Sequence, residues 1–106
     1  MKKISVIIMC FYCLTSFTAT YYGGSFHGNF TKSGYVFNKN KLTCASNHFK
    51  LGTKLKVTNI ENGKSVIVKV NDTGAFKGEN IDLSEGAFKR IANLKQGRIE
   101  IKVKKI

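Results

Sequence analysis

Two stretches of the chain alternate apolar and polar residues with the two-residue period of a β-strand. The first covers residues 54–58, with Leu55 and Val57 on one face, and the second covers residues 65–70. Glu61-Asn62-Gly63 lies between them, and an Asn-Gly pair accepts the positive φ angles of a type I′ turn. The pattern therefore predicts a β-hairpin with one apolar face.

Three other stretches are candidates for strands. Ala19-Thr20-Tyr21-Tyr22 is β-branched and aromatic, and it stops at Gly23-Gly24. Apolar residues at positions 99, 101 and 103 alternate with charged ones, which predicts a closing strand. Residues 42–49 are mixed, and they fit either a strand edge or a helical turn.

One short stretch has the spacing of a helix. Leu83, Ala87, Phe88 and Ile91 recur with the helical period, and Ser84 suits a helix start, which predicts a short helix at about 84–92. The other elements are strands, and the sequence contains no internal repeat. We therefore predict a mainly β fold in the form of a small barrel, because closure removes exposed strand edges.

The chain has only two aspartates, Asp72 and Asp82, and each lies where an alternating or apolar run stops. Such a position tends to leave a side chain at the mouth of a fold, so the two carboxylates are candidates for one site. Two other interpretations remain open. Asp72 fits a turn residue, and Asp82 fits a cap for the predicted helix.

The charge of the chain points to polyanionic partners. Its 106 residues suit one domain, and 18 basic against 6 acidic residues give a formal net charge of +12. Nucleic acid, acidic lipid and anionic cell-wall polymer all satisfy this charge. Which of these three partners applies depends on the location of the protein.

The N-terminus predicts export. Lys2 and Lys3 precede an apolar stretch too short to span a bilayer, so residues 1–18 are predicted to be a signal peptide, with a boundary between 16 and 19. A lipid anchor is disfavoured, because Met9 and Tyr12 directly precede Cys10 and Cys13. We expect the domain 19–106 to be exported, as a monomer without stable membrane insertion and without a nucleic-acid partner.

Cys44 is then the only cysteine of the domain, so no internal disulfide is expected, and the spacing of the histidines and cysteine does not suit a metal site. No cofactor is expected either.

Six of the twelve aromatic residues lie between Tyr21 and Phe37. We predict that the phenylalanines of this segment (Phe26, Phe30 and Phe37) anchor a long loop to the core. For Tyr22 and Tyr35, core anchoring and stacking on sugar rings are both open.

A series of short motifs runs in order through nearly the whole of residues 19–106: Ala19-Thr20-Tyr21-Tyr22-Gly23, Phe26-His27-Gly28, Ser33-Gly34, Leu51-Gly52-Thr53, Val57-Thr58-Asn59, Asn62-Gly63-Lys64-Ser65-Val66, Val70-Asn71-Asp72 and Ile81-Asp82-Leu83-Ser84. With these motifs the chain resembles the RlpA family, rare lipoprotein A-like proteins of the bacterial envelope, which implies a location in the periplasm or cell envelope of a bacterium. From Ile81 to Ile101 it is also similar to the barrel domain of bacterial expansins. Both resemblances imply a six-stranded double-psi β-barrel.

The RlpA resemblance implies a lytic transglycosylase that cleaves the glycan strands of peptidoglycan to 1,6-anhydro ends. The expansin resemblance implies the alternative, a non-catalytic module that binds and loosens wall polysaccharide. Carried over by motif, Asp82 is the acid/base and Asp72 its partner. Since two neighbouring carboxylates do not easily ionise together, we expect one of them to keep its proton.

The residues predicted to bind the substrate are Tyr22, Tyr35, His27, Ser46 and His48, and Tyr22 falls where the expansin first-strand motif holds a site residue. The chain departs from the RlpA pattern at three places. Tyr35 stands where the family has glutamate, and Ser46 stands where it has histidine, with His48 two residues later. Thr73-Gly74-Ala75-Phe76 replaces Arg-Gly-Pro-Phe.

Overall fold

Six strands enclose the apolar interior of the protein. The computed structural model describes residues 17–74 and 76–106, so most of the predicted signal peptide lies outside the described residues. The strands are β1 (Phe17–Tyr22), β2 (Thr43–Ser46), β3 (Lys54–Asn59), β4 (Ser65–Asp72), β5 (Asn80–Ser84) and β6 (Ile99–Lys105). The helix α1 is Glu85–Ile91, and single 3₁₀ turns occur at Gly24–Phe26 and Leu94–Gln96.

The strands close into a barrel in the order β1-β5-β2-β4-β3-β6. Two pairs are parallel, β1 with β5 and β2 with β4, and the other four pairs are antiparallel. The predicted mainly β barrel is therefore confirmed. β1 begins at Phe17, so the strand includes the last two residues of the predicted 1–18 segment, whose processing stays a prediction.

The predicted hairpin is confirmed as β3 and β4, but its predicted turn type is wrong. A type I′ turn needs positive φ at both central residues, and no described residue other than glycine has one. Instead, Gly63 alone has φ of 76°, and its N–H donates to Asn59 O at 2.8 Å. The side chain of Asn62 accepts from Lys64 N at 2.9 Å, so this asparagine shapes a longer loop with its oxygen rather than with its backbone.

The predicted helix is also confirmed. Ser84 is its N-cap, and the Ser84 hydroxyl accepts from Ala87 N at 3.2 Å and donates to Lys41 O. Phe88 and Ile91 are fully buried, and the helix packs on β1, β4 and β5. Because Ser84 caps the helix, the capping interpretation of Asp82 is wrong.

The ambiguous segment 42–49 contains the strand β2 (Thr43–Ser46), which lies between β5 and β4 and is not an edge. Three consecutive residues of β2 are buried: Cys44, Ala45 and Ser46. Burial on both faces removes the alternation of apolar and polar residues that marks a half-exposed strand. The sequence pattern could not distinguish this strand from a helical turn for that reason.

The long loop after β1 is anchored by one phenylalanine instead of three. Phe37 is 2% exposed, but Phe26 is 52% and Phe30 is 79% exposed, so the predicted anchoring of these two is wrong. The loop forms a small hairpin of its own, in which Phe37 N donates to Asn29 O at 2.7 Å. Since backbone hydrogen bonds hold the loop together, two aromatic rings remain available at the surface.

Candidate active site

Four neighbouring strands present one row of residues that contains both aspartates. Thr20 on β1 pairs with Asp82, Asp82 pairs with Ala45, and Ala45 pairs with Asp72 at the end of β4. Side chains alternate between the faces of a strand, and Ile81 beside Asp82 is fully buried in the barrel. The row therefore lies on the outer face, with the two aspartate α carbons about two strand spacings, or roughly 10 Å, apart.

A β-bulge brings Asp72 into this row. Cys44 pairs with Val70, but the next residue, Ala45, pairs with Asp72, so Asn71 is the extra residue. Without the bulge, Ala45 would face Asn71, and the Asp72 side chain would not join the row of Asp82. No residue pattern in the sequence indicated this shift.

Asp82 lies in the middle of β5, rather than at the end of an apolar run, and is half-buried. Burial raises the pKa of its carboxyl, and a hydrogen bond from Thr20 Oγ1 to Asp82 Oδ1 at 2.7 Å opposes that rise. The sequence led us to expect repulsion from Asp72 as the cause of a retained proton. The structure assigns the raised pKa to burial instead.

The hydrogen bond to Asp82 is the last in a chain of four that all point the same way. Arg98 Nη1 donates to Thr18 Oγ1 at 3.2 Å, and Thr18 Oγ1 donates to Asn80 Oδ1 at 2.9 Å. Asn80 Nδ2 then donates to Thr20 Oγ1 at 2.9 Å, which donates to Asp82. Donors aligned toward a carboxylate favour its ionised form. Sequence reasoning missed this chain, because it depends on the parallel pairing of β1 with β5.

We expect Thr20→Val to raise the pKa of Asp82 further, because the substitution removes the donor that opposes the effect of burial. Thr20→Ser keeps the hydroxyl and should leave the pKa near its wild-type value. Carbon NMR titration of the Asp82 carboxyl measures both variants. An unchanged or lowered pKa in Thr20→Val would contradict the role given to this hydrogen bond.

Asp72 has two backbone partners. Its Oδ1 accepts from Thr73 N at 2.9 Å and from Lys32 N at 3.2 Å. The first bond agrees with the interpretation of Asp72 as a turn residue. The hydrogen bond from Lys32 N links the long loop to the end of β4 and holds the Asp72 carboxylate in a fixed orientation within the row.

Tyr22 completes the group that the structure brings together. Its ring stacks on Phe37, with centroids 4.6 Å apart and planes at 16°, and meets the exposed Phe26 edge-on at 5.7 Å. Tyr22 lies two residues after Thr20 on the same face of β1. Burial raises the pKa of the Tyr22 hydroxyl, and the charges of Asp72 and Asp82 raise it further. Among the described residues this buried hydroxyl has no hydrogen-bond partner.

A cleft of about 530 Å³ opens at Asp82. It is lined by Thr18, Thr20, Phe76, Lys77, Glu79, Asn80, Asp82 and Arg98. Asn47, which sequence reasoning also missed, secures the wall that carries Phe76. Its Nδ2 donates to Gly74 O at 2.7 Å and to Phe76 O at 2.8 Å, and its Oδ1 accepts from Gly74 N at 3.2 Å.

None of the predicted binding residues, Tyr22 included, lines this cleft, and Asp72 does not line it either. Tyr35 is 72% exposed and lines a second cleft of about 590 Å³ beside Lys32 and Asn71. The exposed His27 accepts from Lys39 N through Nδ1 at 3.2 Å. A binding role for Tyr35 and His27 stays a prediction.

Ser46 is the last residue of β2, and His48 follows two residues later. Ser46 is 1% exposed, and its hydroxyl accepts from His48 N and Phe49 N, both at 3.0 Å. The His48 ring packs edge-on against Phe17 at 5.4 Å and Phe49 at 4.7 Å. These contacts give both residues structural partners, and their binding role also stays a prediction.

The buried Cys44 lies behind the row of aspartates. Burial, together with the charge of Asp82, raises the pKa of its thiol to about 12. A thiol with such a pKa carries almost no thiolate at neutral pH and is a poor nucleophile. In the described part of the chain, no cluster of three or more histidine, cysteine, aspartate and glutamate side chains is placed to hold a metal ion.

Known proteins are similar to this chain in sequence, and others are similar to it in fold. A protein family described as lytic transglycolase matches residues 15–103. A probable endolytic peptidoglycan transglycosylase RlpA of Synechocystis is 50% identical over 74 residues, which are 69% of this chain and 23% of the relative. The endolytic peptidoglycan transglycosylase RlpA of Neisseria meningitidis is 40% identical over 89 residues, which are 83% of this chain and 37% of the relative. The chain thus spans well under half the length of these two relatives.

Solved structures agree on the fold. A mutant expansin of Clavibacter michiganensis in complex with cellohexaose has a TM-score of 0.71 at 22% identity, over 87% of this chain and 50% of that one. A Streptomyces papain inhibitor has a TM-score of 0.68 at 23% identity, over 84% of this chain and 91% of that one. One fold thus carries different functions, so the activity has to be argued from the site. The family match over most of the chain and the identity to RlpA proteins show that it belongs to the lytic transglycolase family, as an RlpA-like double-psi β-barrel.

Proposed function

We propose that the protein is an endolytic lytic transglycosylase that cleaves the glycan strands of peptidoglycan to 1,6-anhydro ends. The observation that carries the proposal is the half-buried Asp82, whose carboxyl has a raised pKa and lines an open cleft, with Asp72 in the same row of strand residues. A perturbed carboxyl in a cleft is the usual property of a general acid. The names of the RlpA relatives support the same substrate.

The first step is bond cleavage. The protonated Asp82 donates its proton to the glycosidic oxygen as the bond from that oxygen to the anomeric carbon breaks. Positive charge then develops on the anomeric carbon and the ring oxygen. The carboxylate of Asp72, held by two backbone N–H groups, lies along the same row and stabilises that charge.

The second step needs no water. The 6-hydroxyl of the same sugar attacks the anomeric carbon and forms the 1,6-anhydro ring, and its proton returns to the Asp82 carboxylate. One carboxyl therefore serves as acid and then as base. An intramolecular nucleophile also avoids the entropic cost of positioning a second molecule.

Export to the periplasm or cell envelope, and action as a monomer, belong to the same proposal. The basic composition supports an anionic wall polymer as partner. Within the described residues, the structure contains no helix with the length and apolar character needed to cross a membrane.

We expect Tyr22→Phe to lower turnover by about ten-fold or more, because we propose that the Tyr22 hydroxyl, which has no partner among the described residues of the free protein, donates to the bound glycan. The variant should be at least as stable as wild type. Its ring keeps the stack on Phe37, and the hydroxyl that it loses has no partner among the described residues. Turnover and thermal melts measure the two effects.

Tyr21→Phe is the matched control. The Tyr21 hydroxyl donates to Leu94 O at 3.1 Å, so its removal should cost roughly 0.5–1.5 kcal/mol of stability and leave turnover unchanged. If Tyr22→Phe turned over glycan strands as fast as wild type, the Tyr22 hydroxyl would have no part in the proposed reaction.

The proposal is tested by incubating the protein with purified glycan strands and identifying the products by mass spectrometry. Internal cleavage with anhydro ends is the expected result. Reducing ends would indicate a hydrolase. Binding without any cleavage would favour the expansin-like alternative, in which the same row binds wall polysaccharide and breaks no bond.

A further inference from the structure

The side of the barrel formed by β4, β3 and β6 carries a cluster of lysines that the proposed reaction does not use. Five exposed lysines share the outward positions of these adjacent strands: Lys54, Lys56, Lys69, Lys102 and Lys104. We call this set the lysine face. The row of aspartates runs over β5, β2 and the end of β4, so the two sites meet at β4, whereas the lysines of β3 and β6 lie away from the row.

The strand register places like charges opposite one another on the lysine face. Lys54 pairs with Lys69 across β3 and β4, and Lys56 pairs with Lys104 across β3 and β6. Directly opposed like charges destabilise a sheet. Along β3, the 65–69 part of β4 and β6 up to Lys104, the remaining outward residues are Thr58, Ser65, Ile67 and Glu100. Glu100 precedes Lys102 by two residues and pairs with Thr18 on β1, so this carboxylate faces neither of the two opposed lysine pairs.

A shallow cleft of about 320 Å³ runs between β3 and β6 on this face. Lys56, Thr58, Lys102, Val103 and Lys104 line it. Its sides thus present ammonium groups from two neighbouring strands. Successive outward residues of one strand lie roughly 7 Å apart, so the lysines form a regular array along the cleft.

We propose that the lysine face binds a linear phosphodiester polymer of the cell wall. A chain of phosphates follows a narrow cleft and neutralises several lysines at once, which relieves the repulsion between the opposed pairs. The convex barrel and the cleft suit a chain better than a flat bilayer. No aromatic side chain lies at the outward positions of these strand segments, so the face lacks the stacking platform that single-stranded nucleic acids use.

The assignment to a wall polymer rests on the proposed export, whereas the binding of a linear polyphosphate does not. Such a face would hold the protein on its insoluble substrate while the cleft at Asp82 remains open to a glycan strand. Binding and cleavage are therefore separable. Substitutions on the lysine face should leave the cleavage of short soluble glycan strands unchanged.

The test measures the affinity of the protein for long-chain inorganic polyphosphate by isothermal titration calorimetry, over a series of salt concentrations. We compare Lys56→Gln/Lys104→Gln, and as a second variant Lys54→Gln/Lys69→Gln, with a control pair outside the face, Lys89→Gln/Lys95→Gln. Each double variant removes two exposed lysine charges. Vesicles with anionic lipid and a single-stranded DNA serve as competing probes.

We expect the two face variants to bind polyphosphate about ten-fold or more weakly than the control pair at low salt. The slope of log affinity against log salt should fall by about 1.4, because two phosphate contacts are lost. The melting temperature of Lys56→Gln/Lys104→Gln without ligand should also exceed that of the control pair. Polyphosphate should raise the melting temperature of wild type.

Equal polyphosphate affinity in the face variants and the control pair would overturn the proposal. So would a loss of vesicle or DNA binding in the face variants with polyphosphate binding intact. Because Asp82→Asn protein can be used for every binding measurement, the result does not depend on whether the protein cleaves glycans.

Discussion

Asp82→Asn should reduce turnover of glycan strands by about 10²-fold or more, because asparagine keeps the shape of the side chain but has no acidic proton to donate. The fold should not suffer. Thr20 Oγ1 can donate to the asparagine oxygen as it does to Asp82 Oδ1, and Ser84 rather than Asp82 caps the helix. Product release and thermal melts of the same preparations separate the two effects.

The difference in stability between Asp82→Asn and wild type should depend on pH. Burial raises the pKa of Asp82 above its value in the unfolded chain, so the contribution of this group to stability is present at low pH and is lost as the pH rises through the folded-state pKa. Asparagine does not ionise. We therefore expect Asp82→Asn to be at least as stable as wild type at neutral pH, and the difference to shrink in acid.

Asp72→Asn is the companion variant. It should also lower turnover, but since burial rather than Asp72 raises the pKa of Asp82, the pH at which activity falls should move little. If both variants lost stability but kept wild-type turnover, the two aspartates would have only a structural role. Cleavage that survives both substitutions would contradict the assignment of the acid.

Phe88→Ala should lower the free energy of unfolding by roughly 3–5 kcal/mol. Phe88 is fully buried in α1, and its ring meets that of Tyr21 on β1 at a centroid distance of 4.8 Å. Removal of the ring would leave a cavity between the helix and the barrel, which the surrounding strands cannot easily fill. Urea unfolding gives the measurement.

Lys89→Ala is the control for Phe88→Ala, because it is the next residue of the same helix and is exposed. Its cost should stay within about 0.5 kcal/mol. A similar small cost for Phe88→Ala would mean that α1 is not packed as the structure has it.

Local patterns were sufficient to predict much of the fold. The hairpin of β3 and β4 has one apolar face and a glycine with positive φ, and α1 has a serine cap and a buried stripe. These features depend on residues that lie close together in sequence. The strand β2 was ambiguous because burial on both sides removes its alternation.

The candidate site was predictable only in part. The family motifs pointed to Asp72, Asp82 and Tyr22. The strand register places the two aspartates in one row and Tyr22 on the same face of β1 as Thr20, the partner of Asp82. The chain of donors behind Asp82 depends on strand pairing between residues 62 positions apart, and the place of Asp72 depends on a bulge. Neither leaves a local pattern. The cause of the raised Asp82 pKa was also beyond the sequence, since burial is a property of the packed barrel.

The central claim is that a sugar hydroxyl, and not water, attacks the anomeric carbon. Cleavage of purified glycan strands in water labelled with heavy oxygen, followed by mass spectrometry of the new ends, tests it most directly. We predict anhydro ends that are one water lighter than reducing ends and carry no label, and their formation should be strongly reduced in Asp82→Asn. Reducing ends that carry the heavy oxygen would contradict the mechanism.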